Sequence, residues 1–130
     1  MTTPTLSGLH HVMFPVTDLD VATTWFETVF EARRIAELDH HDEAGKLIAV
    51  VLRVPGLVPM VLLRRNNNAP ALSESALGVA DRAELDRWVS HFDARGVKHS
   101  EVMAGRVGDV LTCAMPGGPD LMLFVDRGNE

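Results

Sequence analysis

Residues 9–16, Leu-His-His-Val-Met-Phe-Pro-Val, alternate between two faces, and that period of two predicts a β-strand. One face takes His10, Val12, Phe14 and Val16, and the other His11, Met13 and Pro15. Asp18 then stands where a helix N-cap is needed. Ala22, Trp25, Phe26, Val29 and Phe30 follow at helical spacing and give that helix one apolar side. Residues 34–38 predict a weaker strand, and residues 39–45 a polar hairpin connection. Residues 47–54 are almost wholly apolar and predict a central strand, turned at Pro55-Gly56 into another strand over 57–63.

The pattern then starts again. Val16-Thr17-Asp18 and Trp25 return 63 positions later as Val79-Ala80-Asp81 and Trp88, Phe14 returns as Leu77, and His11 falls opposite Glu74. Asp81-Arg82-Ala83-Glu84 has capping-box spacing, Leu85, Trp88, Val89 and Phe92 form the helical face, and Gly96 is a fitting stop. Strands are predicted over 97–103, 109–114 and 121–125, the last two divided by Pro116-Gly117-Gly118-Pro119. Each half therefore reads strand, helix, strand, strand, strand. The modules span about 7–64 and 73–127, with the polar stretch 65–72, containing Asn66-Asn67-Asn68 and Pro70, as linker. A ferredoxin-like order would supply one strand too few per half. The fold class is α+β: two tandem βαβββ modules whose curved mixed sheet surrounds a cleft.

Composition narrows the function classes. A length of 130 residues suits one domain built of these two modules. The net charge of −6, with scattered Lys and Arg, disfavours nucleic acid and anionic membranes as partners. No apolar run approaches a membrane span. A start of Met-Thr-Thr-Pro-Thr without a signal-peptide pattern, and a single cysteine, Cys113, predict a cytoplasmic protein.

The stretch Leu9-His10-His11-Val12-Met13-Phe14-Pro15-Val16-Thr17-Asp18-Leu19, followed by Trp25-Phe26, resembles the opening of the vicinal-oxygen-chelate superfamily of glyoxalases, bleomycin-resistance proteins and extradiol dioxygenases. Gly78-Val79-Ala80-Asp81-Arg82-Ala83-Glu84-Leu85 and the ending Met115-Pro116-Gly117-Gly118-Pro119-Asp120-Leu121-Met122-Leu123-Phe124 are similar to its second half, although Met115 replaces the Asp of the usual turn. The resemblance implies a cleft metal held from the first and last strands. Carried over, its ligand positions fall on His11, on Glu74 where His is commonest, on Met122 where Glu is usual, and near Val61 with a register uncertainty of one residue. A hard or borderline divalent ion would keep only His11 and Glu74, a weak and incomplete site. The expected cofactor is thus at most a weakly bound divalent metal, and extradiol dioxygenase chemistry is disfavoured.

His11 and Glu74 are the expected catalytic residues, the carboxylate fixing the imidazole for proton transfer. Met13, Val61, Ala76, Met122 and Phe124 are the expected apolar lining for a small organic ligand. The implied activity is glyoxalase-like, a lyase or isomerase acting on a small carbonyl compound. The alternative is a non-catalytic, resistance-type binder of a drug or metabolite. A homodimer is expected in either case. The run Asp39-His40-His41-Asp42-Glu43 reads as a solvated turn, His10 as a core or rim histidine and His91 as exposed. Trp25 and Trp88 read as packing residues, and Cys113 as inert.

Overall fold

The computed structural model describes residues 3–68 and 75–126. The first module runs β1 (His11–Val16), α1 (Leu19–Phe30), β2 (Arg33–Arg34), a short 3-10 turn (Ala36–Leu38), β3 (His40–His41), β4 (Leu47–Arg53) and β5 (Met60–Arg65). The second runs β6 (Ala76–Gly78), α2 (Arg82–Arg95), β7 (Met103–Ala104), β8 (Gly108–Cys113) and β9 (Leu121–Asp126).

The strands form two sheets, one per module, in the same order. The first is β1-β5-β4-β2, with β3 also on β4, and the second is β6-β9-β8-β7. In both, the opening strand lies parallel to the closing strand and the other pairs are antiparallel. The repeat in the sequence is therefore a repeat in topology, and the chain is α+β as its pattern predicts.

Local signals explain the helices. The Asp18 carboxylate accepts the Val21 N–H at 3.0 Å, and Asp81 accepts the Glu84 N–H at 2.8 Å, each satisfying a first-turn donor that has no partner in the helix. Gly96 ends α2 at φ 69°, where a side chain would be strained. α1 ends instead on Glu31, at φ 55°.

Two strand expectations shrink. Residues 34–38 give the two-residue β2 and then the 3-10 turn, and 97–103 give a bridge from His99 to Cys113 and then β7. Both segments are sheet edges with few buried side chains, so little holds them extended along their length. The hairpin at 39–45 closes on Asp42, whose carboxylate accepts the Ala44 and Lys46 N–H groups, both at 2.9 Å.

One core joins the modules, and helices and aromatic rings make the join. α1 packs on β4 and β5, α2 on β8 and β9, and the helices meet each other. Phe30 of α1 lies 5.3 Å from Trp88 and 6.3 Å from Phe92 of α2, centroid to centroid. His91 is half-buried here rather than exposed, and its Nε2–H donates to the Val29 carbonyl at 2.7 Å. That carbonyl belongs to the last turn of α1, whose acceptors have no helical donor. The Thr17 N–H also donates across the join to Gly117 O at 2.9 Å. Among the described residues no strand pairs with a strand of the other module. No helix among them is long and apolar enough to cross a membrane.

Candidate functional site

Each sheet has a helix-covered side and an open side. In the first module Val12, Phe14, Val61 and Leu63 belong to the buried core or pack on it. The intervening residues His11 and Met13 point the other way, with Met60 and Leu62 as their register partners on β5. Ala49 and Val51 of β4 are buried outside that core, and Val51 lies in register with Leu62. In the second module Leu77, Leu121 and Leu123 go to the core. The open side takes Ala76, Gly78, Met122 and Phe124, in the register Ala76 to Met122 and Gly78 to Phe124. The centres of both open faces are apolar, and Met13 is 48% exposed on the first, where Arg64, in register with Pro15 and Ala49, adds a charge.

Val61 does not line this surface. It is 1% exposed beneath α1, and Leu62 holds the place equivalent to Met122. The reason is a one-residue slip between the halves. The first core residue of the closing strand comes six positions after Pro55 but five after Pro116, and one residue reverses the face in a strand. Met13, Ala76, Met122 and Phe124 do stand on the open faces. Glu74 lies outside the described residues.

His11 opens β1 at the rim of the first open face, and it is exposed. Its Nδ1 lies 3.0 Å from Nδ1 of His10, with the rings edge-on at 86°. His10 thus departs from its expected core or rim place. It precedes β1, so strand alternation does not constrain it, and it too is exposed. One imidazole must donate and the other accept. When His10 accepts, Nε2 of His11 is left unprotonated and basic.

Other chemistry-bearing side chains are committed elsewhere. The Arg34 guanidinium pairs with Asp39 at 2.6 Å, and that hydrogen bond raises its pKa. Cys113 is buried, and desolvation, followed by the charge of Asp120, pushes its thiol up to about 12, so no thiolate is available. His99 donates from both nitrogens, to the Asp93 carboxylate at 2.6 Å and to the Ser100 carbonyl at 2.7 Å. Both partners only accept, so the imidazolium is the form that satisfies both. The Asp93 bond first, then the Ser100 bond, raise its pKa above 6.5 against desolvation.

That arrangement has a pH signature. A raised folded pKa gives stability that is complete below the unfolded value, near 6.5, and lost as pH rises through the folded value. Asp93 is 65% exposed, so screening reduces the pair to about 0.5 kcal/mol. Urea unfolding should show Asp93→Asn below wild type by that amount at about pH 5.5, with the gap closed at about pH 9. A gap that grows with pH would refute the assignment.

The clearest hollow lies away from these groups. It is about 360 Å³, at the module junction, between Phe30 and Glu31 of α1, Pro55, and Glu84, Arg87 and Trp88 of α2.

The family model of the Glyoxalase/Bleomycin resistance protein/Dioxygenase superfamily matches residues 8–116. The chain belongs to this superfamily. Solved structures of superfamily members share its fold. A glyoxylase/bleomycin resistance protein/dioxygenase domain from Frankia sp. EAN1pec superposes with TM-score 0.74 at 16% identity, covering 97% of this chain and 96% of that one. A mutant of the fosfomycin resistance protein FosX from Listeria monocytogenes, complexed with Mn(II) and dihydroxypropylphosphonic acid, gives TM-score 0.70 at 20% identity over 92% and 93%. Lactoylglutathione lyase from Agrobacterium tumefaciens gives TM-score 0.70 at 16% identity over 92% and 94%. A search of curated proteins found no match.

A superfamily metal would need three or four protein ligands here. Of the first- and last-strand positions, His11 is a donor, Glu74 is a carboxylate that lies outside the described residues, Leu62 is apolar and Met122 is a soft thioether. No group of three or more His, Cys, Asp or Glu that could hold an ion occurs among the described residues. The donor set does not fit a tightly held divalent ion of the kind seen with FosX.

Proposed function

We propose that this superfamily member is a glyoxalase-like lyase or isomerase that moves a proton on a small, partly apolar carbonyl compound. The observation that carries the reading is the placing of His11, with its Nδ1 engaged by His10, at the edge of an apolar sheet face. Nε2 of His11 takes a proton from the carbon beside the carbonyl. The electron pair left behind moves into an enolate, and His11-H⁺ returns the proton to the adjacent carbon or oxygen. Glu74 is the proposed partner that holds the imidazole. Met13, Ala76, Met122 and Phe124, with Leu62 in place of Val61, are the proposed apolar contacts. The mechanism routes no step through a metal. A second copy of the chain is proposed to supply the missing wall, since apolar open faces and free strand edges favour a homodimer.

The second reading is a non-catalytic binder. It is favoured by the loss of metal donors at Leu62 and Met122. The test takes a substrate found by screening small ketones and aldehydes. His11→Ala and Glu74→Gln should bind it within about twofold of wild type and lose at least about a hundredfold in kcat. Ligand binding without turnover in the wild type, weakened by Met122→Ser, would overturn the enzyme reading and establish the binder.

A further inference from the structure

We propose that His10, His11 and Met60 form a site for monovalent copper. The inference goes beyond proton transfer and stands on donor geometry alone, although it shares His11 with that chemistry. Two imidazole nitrogens bound to one three-coordinate cuprous ion at about 2 Å each lie roughly 3.3–3.5 Å apart, at the tetrahedral to trigonal angles such a d10 ion takes. The Nδ1 atoms of His10 and His11 are already 3.0 Å apart. A copper ion can therefore replace the proton they share after a small rotation of the rings.

The backbone places a third donor's residue within reach. Met60 is the register partner of His11 across the parallel β1–β5 pair, so their side chains leave the sheet on the same face, one strand spacing of about 4.8 Å apart. The Met60 N–H also donates to the His10 carbonyl at 3.1 Å, which holds the two main chains together at this point. Both histidines are exposed and Met60 is half-buried, so an ion reaches them from solvent. Two imidazoles and a thioether, without a carboxylate, are a poor set for magnesium, calcium or manganese and a good one for copper. The thioether adds selectivity for the cuprous state. No electron transfer is part of the proposal.

The test is an anaerobic titration of the whole purified chain with Cu(I) in competition with bicinchoninate. The wild type should withdraw one ion per chain. His10→Ala should weaken Cu(I) binding at least about tenfold, and Met60→Leu about tenfold while leaving Ni(II) binding within about twofold. Cys113→Ser should bind as wild type does, since that thiol is buried. The far-ultraviolet circular dichroism of each variant reads folding, and X-ray absorption of the loaded wild type should show nitrogen and sulfur together. Failure of the wild type to compete, unchanged affinity in folded His10→Ala or Met60→Leu, or loss in Cys113→Ser would each overturn the site. None of these readouts uses a substrate, so they fail or succeed independently of the turnover of His11→Ala.

Discussion

Phe30→Ala is expected to destabilise the protein by about 3–5 kcal/mol, the range for deleting a buried aromatic ring. Phe30 is 6% exposed and is the ring on which the module junction turns. It lies 5.6 Å from Trp25 and 5.7 Å from Phe26 on its own helix, and 5.3 Å from Trp88 and 6.3 Å from Phe92 on the other. Among the described residues no strand pairing crosses between the modules to compensate, so the cavity would open where they are joined. Domains of this kind have about 5–15 kcal/mol in total, and the loss is a large share of it. Urea unfolding followed by tryptophan fluorescence and far-ultraviolet circular dichroism measures it. Trp88→Ala combined with Phe30→Ala should cost about 1 kcal/mol less than the two single changes added, because they share one contact. A Phe30→Ala loss below about 1 kcal/mol would show that the modules are held together by something other than this ring cluster.

Gly108→Ala is the second large effect. A Cβ there would stand 1.9 Å from the Val125 carbonyl oxygen and 2.9 Å from its carbon, with the Phe124 ring at 3.0 Å. The obstacle is backbone, which cannot rotate away as a side chain can. Gly105 N–H also donates to Gly108 O at 2.8 Å and fixes the turn before β8. β8 must therefore separate from β9 at its first pair, at a cost of about 3 kcal/mol or more. Gly78→Ala is the comparison. It has an ordinary backbone and nothing within 4 Å of the added methyl, and should stay within about 0.5 kcal/mol of wild type. Equal losses in the two variants would mean that the close approach at Gly108 is not what limits stability. Gly108→Ala also displaces Phe124, so it should disturb the ligand contact proposed for the second open face as well.

Much of this architecture is legible in the sequence because it rests on short-range chemistry. Asp18 and Asp81 cap their helices, Gly96 ends one, and the apolar faces around Phe26 and Phe92 are buried where periodicity places them. The duplication predicts two like modules, and the common strand order bears this out. The misreadings have a different origin. Matching Val61 to Met122 puts it on the open face, but one extra residue after Pro55 shifts the strand by half a period. Alternation gives His10 a strand residue's direction, yet it precedes the strand, and the approach of its ring to His11 depends on rotamers that no pattern encodes. His91 looks like a surface residue until the carbonyl of Val29, 62 positions away, is brought against it. His99 is occupied by Asp93 and Ser100, the first six positions away. Long-range partners of this kind are set by how the modules meet, which neither half contains alone.

The parallel pairing of opening and closing strands also determines how a module would respond to tension. The chain enters the first module at the start of β1 and leaves it at the far end of β5, with six residue pairs in register between them. A pull on the two ends drags these strands past each other lengthwise and loads all the cross-strand hydrogen bonds at once, rather than peeling them one by one. The second module has the same geometry on a shorter pairing, so in a stretching experiment it should rupture first.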